Sequence, residues 1–172
     1  MFRLCNGLAG GALLVTLVLL GLTTTHARQP AVADTPAMPG GAATSGYTLH
    51  IDAGRHFPAH PSEIAHHWCK TISPTLIECQ LYDTDSPNAR LVGVETIVPT
   101  AVWQTFSPQE QALWHSHKTQ LKKIQPTLPD TPENQRASVI AALEPTYGKV
   151  YILWDPISTK NPTGQPSITV LK

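Results

Sequence analysis

Apolar and polar positions divide this chain of 172 residues into three regimes. Leu8 to Leu22 is an almost uninterrupted apolar run behind Arg3. Residues 28–46 are rich in Ala, Pro, Gly and Thr and show no apolar period. From Tyr47 onward, short apolar stretches recur between clusters of turn-forming residues. The first run is shorter than the roughly 20 residues a spanning helix prefers. Arg3 precedes it, and Thr23-Thr24-Thr25-His26-Ala27 follows with small residues where a signal peptidase reads. Residues 1–27 are therefore expected to be a secretory signal peptide, cleaved after Ala27 or after Ala33. Residues 28–46 are expected to be a flexible linker, and 47–172 a single domain.

Within that domain the pattern predicts strands, then helices, then strands. Ser73-Pro74-Thr75 is a turn signal. A hairpin centred on Pro74 sets Cys69 against Cys79, Lys70 against Glu78, Thr71 against Ile77 and Trp68 against Gln80, pairs that suit neighbouring strands. A helix over Pro61 to Cys69 is the alternative for the first arm; the strand is preferred from about His66. Asp83 to Arg90 is a long turn, and the β-branched run Leu91 to Val98 is a third strand. Ser107-Pro108-Gln109-Glu110 has the form of a capping box and opens a helix that runs to about Trp114. Thr131-Pro132-Glu133 opens a second in the same way, with Val139, Ile140 and Leu143 on its apolar face; Pro145 and Gly148 stop it. Lys149 to Trp154 and Ser167 to Leu171 are further strands. The fold class is α+β: an antiparallel β-sheet, made of an N-terminal meander plus C-terminal strands, with two short helices.

Charge narrows the partners. The full chain carries 12 Lys and Arg against 12 Asp and Glu. Arg3 is the one charged residue in 1–27, so the remainder has 11 against 12, a net charge of about −1. No nucleic acid is expected as partner, because phosphate contacts need a basic surface. Lys122-Lys123 alone is too little for an anionic membrane surface. Beyond Cys5, two cysteines remain, and an even pair in an exported chain permits a disulfide. Metal ligation and free or redox-active thiols are the other roles open to Cys69 and Cys79.

The histidines supply the remaining chemistry. His115 and His117 share one side if they lie on a strand and diverge on a helix. With His66 or His67 from the hairpin they form a candidate site for a divalent transition metal, with Glu95 as a fourth ligand or a general base. The bland alternative is a polar core network. Asp83, Asp85 and Asn88 resemble scattered calcium ligands, but the Gly and Glu of a calcium loop are missing, so a solvated turn is the reading preferred. There is no phosphate-binding glycine loop, no G-x-S-x-G elbow and no H-E-x-x-H.

The strings His66-His67-Trp68-Cys69, Glu78-Cys79-Gln80-Leu81-Tyr82-Asp83 and Asn88 to Val98, followed by Trp114-His115-Ser116-His117, resemble the oil-body-associated protein family, also described as a domain of unknown function. Thr146-Tyr147-Gly148-Lys149, Trp154 and Gly164-Gln165-Pro166 are similar to its C-terminal blocks. The resemblance covers about residues 57–170. It implies a lipid-surface association, as in plant members of seed lipid droplets. This chain departs from the plant pattern in its signal segment and in lacking an apolar stretch over Lys118 to Leu128. Three functions are expected in order: an exported, non-enzymatic binding module holding an unknown ligand, with a metal on its His cluster; a metal-dependent enzyme with Glu95 as base; and a lipid-surface protein.

Overall fold

The computed structural model describes residues 46–171. The expected signal peptide lies outside them, as does the expected linker except for Gly46. All strands belong to one antiparallel sheet: β1 (Leu49–Ala53), β2 (Ala65–Ser73), β3 (Leu76–Tyr82), β4 (Leu91–Pro99), β5 (His115–Ser116), β6 (Thr146–Ile152) and β7 (Ser167–Thr169). The order is β1-β2-β3-β4-β6-β5, with β7 also on β6. β5 and β7 thus share the far edge of β6, β5 pairing with Tyr147 and Gly148 and β7 with Val150 to Ile152. Among the described residues four short helices interrupt the strands: α1 (Thr100–Trp103), α2 (Pro108–Gln111), α3 (His117–Ile124) and α4 (Glu133–Leu143).

The hairpin register is the one the sequence predicts. Cys69 opposes Cys79, Lys70 opposes Glu78, Thr71 opposes Ile77 and Trp68 opposes Gln80. Residues 65–69 are strand, which disposes of the helical alternative. Ser107 caps α2 by accepting the Glu110 amide at 3.2 Å. Thr131 does not cap α4: Pro132 occupies that position and no side chain caps the helix. Gly148, expected to stop a helix, lies inside β6. The strand β1 and the helices α1 and α3 were not anticipated from the pattern.

Antiparallel pairing puts directly opposed residues on the same face. Ile51, His67, Leu81, Glu95, Val150 and Gly148 therefore point to one side, and His50, Asp52, His66, Trp68 and Tyr82 to the other. The first side carries the main core: Ile51, Leu81, Val92, Ile97, Val150 and Ile152, joined by Phe57 and Trp154. Leu121 of α3 and Val139, Ile140 and Leu143 of α4 close it over. A smaller cluster of Trp68, Tyr82 and Ala89, with Tyr47, covers part of the other side. Burying a large apolar side chain contributes about 1.5–3 kcal/mol, so this two-sided cover makes the central strands the stable part of the fold. Cys69 and Cys79 are bonded to each other across β2 and β3.

Candidate metal centre

Glu95 sits mid-strand on the core face of β4, fully enclosed, where an unpaired carboxylate would be costly. Three imidazoles surround it. The Nε2 atoms of His115 and His117 each lie 3.3 Å from its Oε1, and Nε2 of His67 lies 3.5 Å from its Oε2. A fourth ring, His56 from the β1–β2 loop, brings its Nε2 to 3.1 Å from that of His67. All four rings are buried. Neighbouring ligands about a four-coordinate ion with bonds of about 2.05 Å stand about 3.3 Å apart, the spacing of the contacts to Glu95; the ligand atoms fall into two groups that share this carboxylate, His56 with His67 and His115 with His117.

Each histidine arrives by a different route. His67 follows from the alternation of β2. His115 ends the chain's excursion through α2 and pairs with Gly148 on the edge of β6. His117 is the first residue of α3 and not a strand residue. The two reach one carboxylate because the backbone turns from strand to helix between them; their ring centroids are 5.0 Å apart. Gly148 makes room for this. A Cβ there would overlap Oε1 of Glu95 and come within 2.7 Å of the His115 ring.

Partners behind the rings fix their tautomers. His67 Nδ1 donates to the carbonyls of Ala65 and Ile51 at 2.9 and 3.1 Å. Thr146 donates its hydroxyl proton to the Leu143 carbonyl at 2.6 Å, so its oxygen accepts from His117 Nδ1 at 2.7 Å. Both rings then turn an Nε2 lone pair, in their neutral form, toward a carboxylate oxygen. Such a contact is repulsive unless a cation stands between: a second proton on the ring, or a metal ion.

Burial would raise the Glu95 carboxyl, but hydrogen bonds and charge from His115 and His117 overcome it and hold the group well below the usual carboxylate range. Burial pushes His56 down to about 3, helped by the charge of His67, and lowers His67 against the opposing pull of Glu95. Burial thus favours the neutral form of His56 and His67, and Glu95 is held as an anion, the forms that bind metals. Beside it lies a cavity of about 30 Å³ whose far wall is apolar, with Leu121, Ile124, Pro126, Leu143 and Leu171. That is room for about one water.

The structure brings His67, His115, His117 and Glu95 together and separates His66 from them. His66 and His67 are adjacent on a strand and face opposite sides of the sheet, so the four expected histidines do not make one site. Cys69 and Cys79 take no part, being bonded to each other. Glu95 lies inside the ligand set, in contact with three rings, and not beside it as a free base. Sequence reasoning missed His56, whose loop position carries no periodic signal. It also misread Gly148, although a glycine within a strand marks a close approach.

The chain belongs to the family described as "Protein of unknown function (DUF1264)", which matches residues 44–171. It is 36% identical over 112 residues to oil body-associated protein 2B of Zea mays, covering 64% of this chain and 45% of that protein. It is 32% identical over 116 residues to oil body-associated protein 2B of Arabidopsis thaliana, covering 67% and 47%. Oil body-associated protein 1B of Arabidopsis thaliana is 32% identical over 105 residues, covering 60% and 44%. The chain thus spans less than half the length of these relatives. No solved structure matches it.

Proposed function

We propose that this chain is a metal-binding module centred on Glu95, whose carboxylate is shared by two ligand groups, His115 with His117 and His67 with His56. The observation that carries this is the pair of tautomers. His67 and His117, each fixed from behind, direct Nε2 lone pairs at a buried carboxylate. Imidazole nitrogen with one carboxylate suits a borderline divalent ion such as zinc, cobalt, nickel or iron(II). The hydrogen bonds behind the rings are of the kind that orient metal ligands.

Binding is favoured over catalysis. A catalytic metal keeps an open position for substrate, whereas the cavity that the cluster lines is sized for about one water and is otherwise walled by apolar side chains. A carboxylate held strongly anionic is also a weak general base, which leaves Glu95 the role of ligand. Export is part of the proposal: a Cys69–Cys79 disulfide suits an oxidising compartment. The names of the plant relatives suggest a lipid surface for those proteins. Among the described residues no helix is long and apolar enough to cross a membrane.

Equilibrium dialysis of zinc against the full chain tests the centre. Glu95→Gln and His117→Ala are each expected to bind one ion fewer than wild type. Circular dichroism must show both variants folded. Ion counts and affinities equal to wild type in both folded variants would sink the proposal.

A further inference from the structure

The alternation that sends His67 into the core sends its neighbour His66 to the other side of the sheet, where it meets His50 and Asp52 of β1. We propose that His50, Asp52, His66 and Asp85 form a second divalent-metal site, independent of the Glu95 centre.

Four ligating residues converge there. His50 Nε2 lies 2.9 Å from Asp52 Oδ1 and 3.1 Å from Asp85 Oδ1. His66 Nδ1 lies 2.7 Å from Asp52 Oδ1 and 3.1 Å from Asp85 Oδ2. All four ligand atoms fall within 4.8 Å of one another. Neighbouring ligands on a six-coordinate ion with bonds of about 2.1 Å stand about 3.0 Å apart.

His50 supplies the second, independent observation. It is only 3% exposed, yet its Nε2 has no hydrogen-bond partner. Two carboxylate oxygens are close enough, so it is direction that fails: neither lies in line with the ring nitrogen. A buried polar atom left so is uncommon. The other nitrogen, Nδ1, donates to Asp130 Oδ2 at 2.9 Å. In the neutral ring that carboxylate–histidine arrangement leaves the Nε2 lone pair facing the cluster, as behind many metal ligands; with no cation bound, burial is overcome by Asp52, Asp130 and Asp85, which favour a second proton there.

The surroundings suit an ion. Three carboxylates gather around two imidazoles, an excess of negative charge that a divalent cation offsets. Asp85 and Asp130 are 43% and 59% exposed, which provides an entry path and room for water ligands. The site joins separate segments: β1 and β2, the turn after β3, and the connection between α3 and α4. That connection already holds β1 through reciprocal amide bonds of 3.0 Å between Asp52 and Thr127. Asp85 therefore does more than solvate a turn.

Zinc and manganese dialysis against the full chain, with Asp85→Ala and His66→Ala, tests this site. One ion fewer than wild type, or affinity for one ion weakened at least tenfold, is expected in both variants. Asp85 is exposed, so its variant should keep the wild-type fold. A Glu95→Gln chain should retain this ion while losing the inner one. Ion number and affinity matching wild type in both Asp85→Ala and His66→Ala overturn the proposal. Wild type holding one ion and Glu95→Gln none would overturn it while leaving the Glu95 centre standing.

Discussion

His117 and Thr146 form a relay: the ring donates Nδ1–H to the hydroxyl at 2.7 Å, and the hydroxyl donates to the Leu143 carbonyl at 2.6 Å. The relay decides which ring nitrogen faces Glu95. Thr146→Val keeps the shape and removes the acceptor, so the ring loses its fixed tautomer. Zinc affinity is expected to fall about 10–100-fold, and Thr146→Ser should restore most of it. Competition with a chromophoric chelator measures both. A valine variant as tight as wild type would remove the relay from the account.

Gly148 lies on β6 between β4 and β5, opposite Ile97 on one side and His115 on the other. Gly148→Ala drives a methyl group against the Glu95 carboxylate and the His115 ring. Overpacking of this kind costs about 1–3 kcal/mol, and the ligand set must spread to accept it. Zinc binding at the Glu95 centre should be lost, while denaturant melts show a folded but weakened chain. Undiminished zinc binding would contradict the described packing.

The disulfide gives a chemical prediction. Cys5 is the one cysteine outside the described residues, so a Cys5→Ser chain unfolded without reductant should yield no free thiol. Reduction, or Cys69→Ala with Cys79→Ala, should lower stability by about 2–3 kcal/mol in the loop-entropy account for a short closed loop. Two titratable thiols in the unreduced protein would refute the bond.

Alkaline pH should weaken the start of the domain through Tyr47. Its hydroxyl donates to Glu78 Oε1 at 2.6 Å. That bond, then burial and the Glu78 charge, raise the phenol from 10.0 to about 12. A folded value above the unfolded one means the contribution is complete below about pH 10 and is lost as pH climbs toward 12. Urea titrations from about pH 9 to 11 should show a stability loss that Tyr47→Phe reduces. An identical slope in the variant would show that another group titrates.

Local signals made much of the sheet legible. The turn at Pro74, the charge pair Lys70–Glu78 and the facing cysteines all agreed on one register, and short-range pairing is what sets a hairpin. The run Leu91 to Val98 was plain because β-branched residues leave little alternative. β1 was not legible: Leu49 to Ala53 is short, holds His50 and Asp52, and gains its partners only from β2 and Thr127. His117 was left open between strand and helix because nothing in Trp114-His115-Ser116-His117 marks where a two-residue strand gives way to a helix.

For the candidate sites, the sequence by itself named His66, His67, His115, His117 and Glu95 but not His56, His50 or Asp52, and the two-residue period of a strand is what sends His66 and His67 to opposite faces. It also determined the pairing that closes the disulfide. Only the tertiary structure decided the company each residue keeps. Glu95 meets His115 and His117 because β4 pairs with β6, which in turn holds β5. His50 meets Asp85 because the turn after β3 folds back over β1. Those neighbours are set by long-range strand order and by the burial of apolar faces, and no local spacing encodes either.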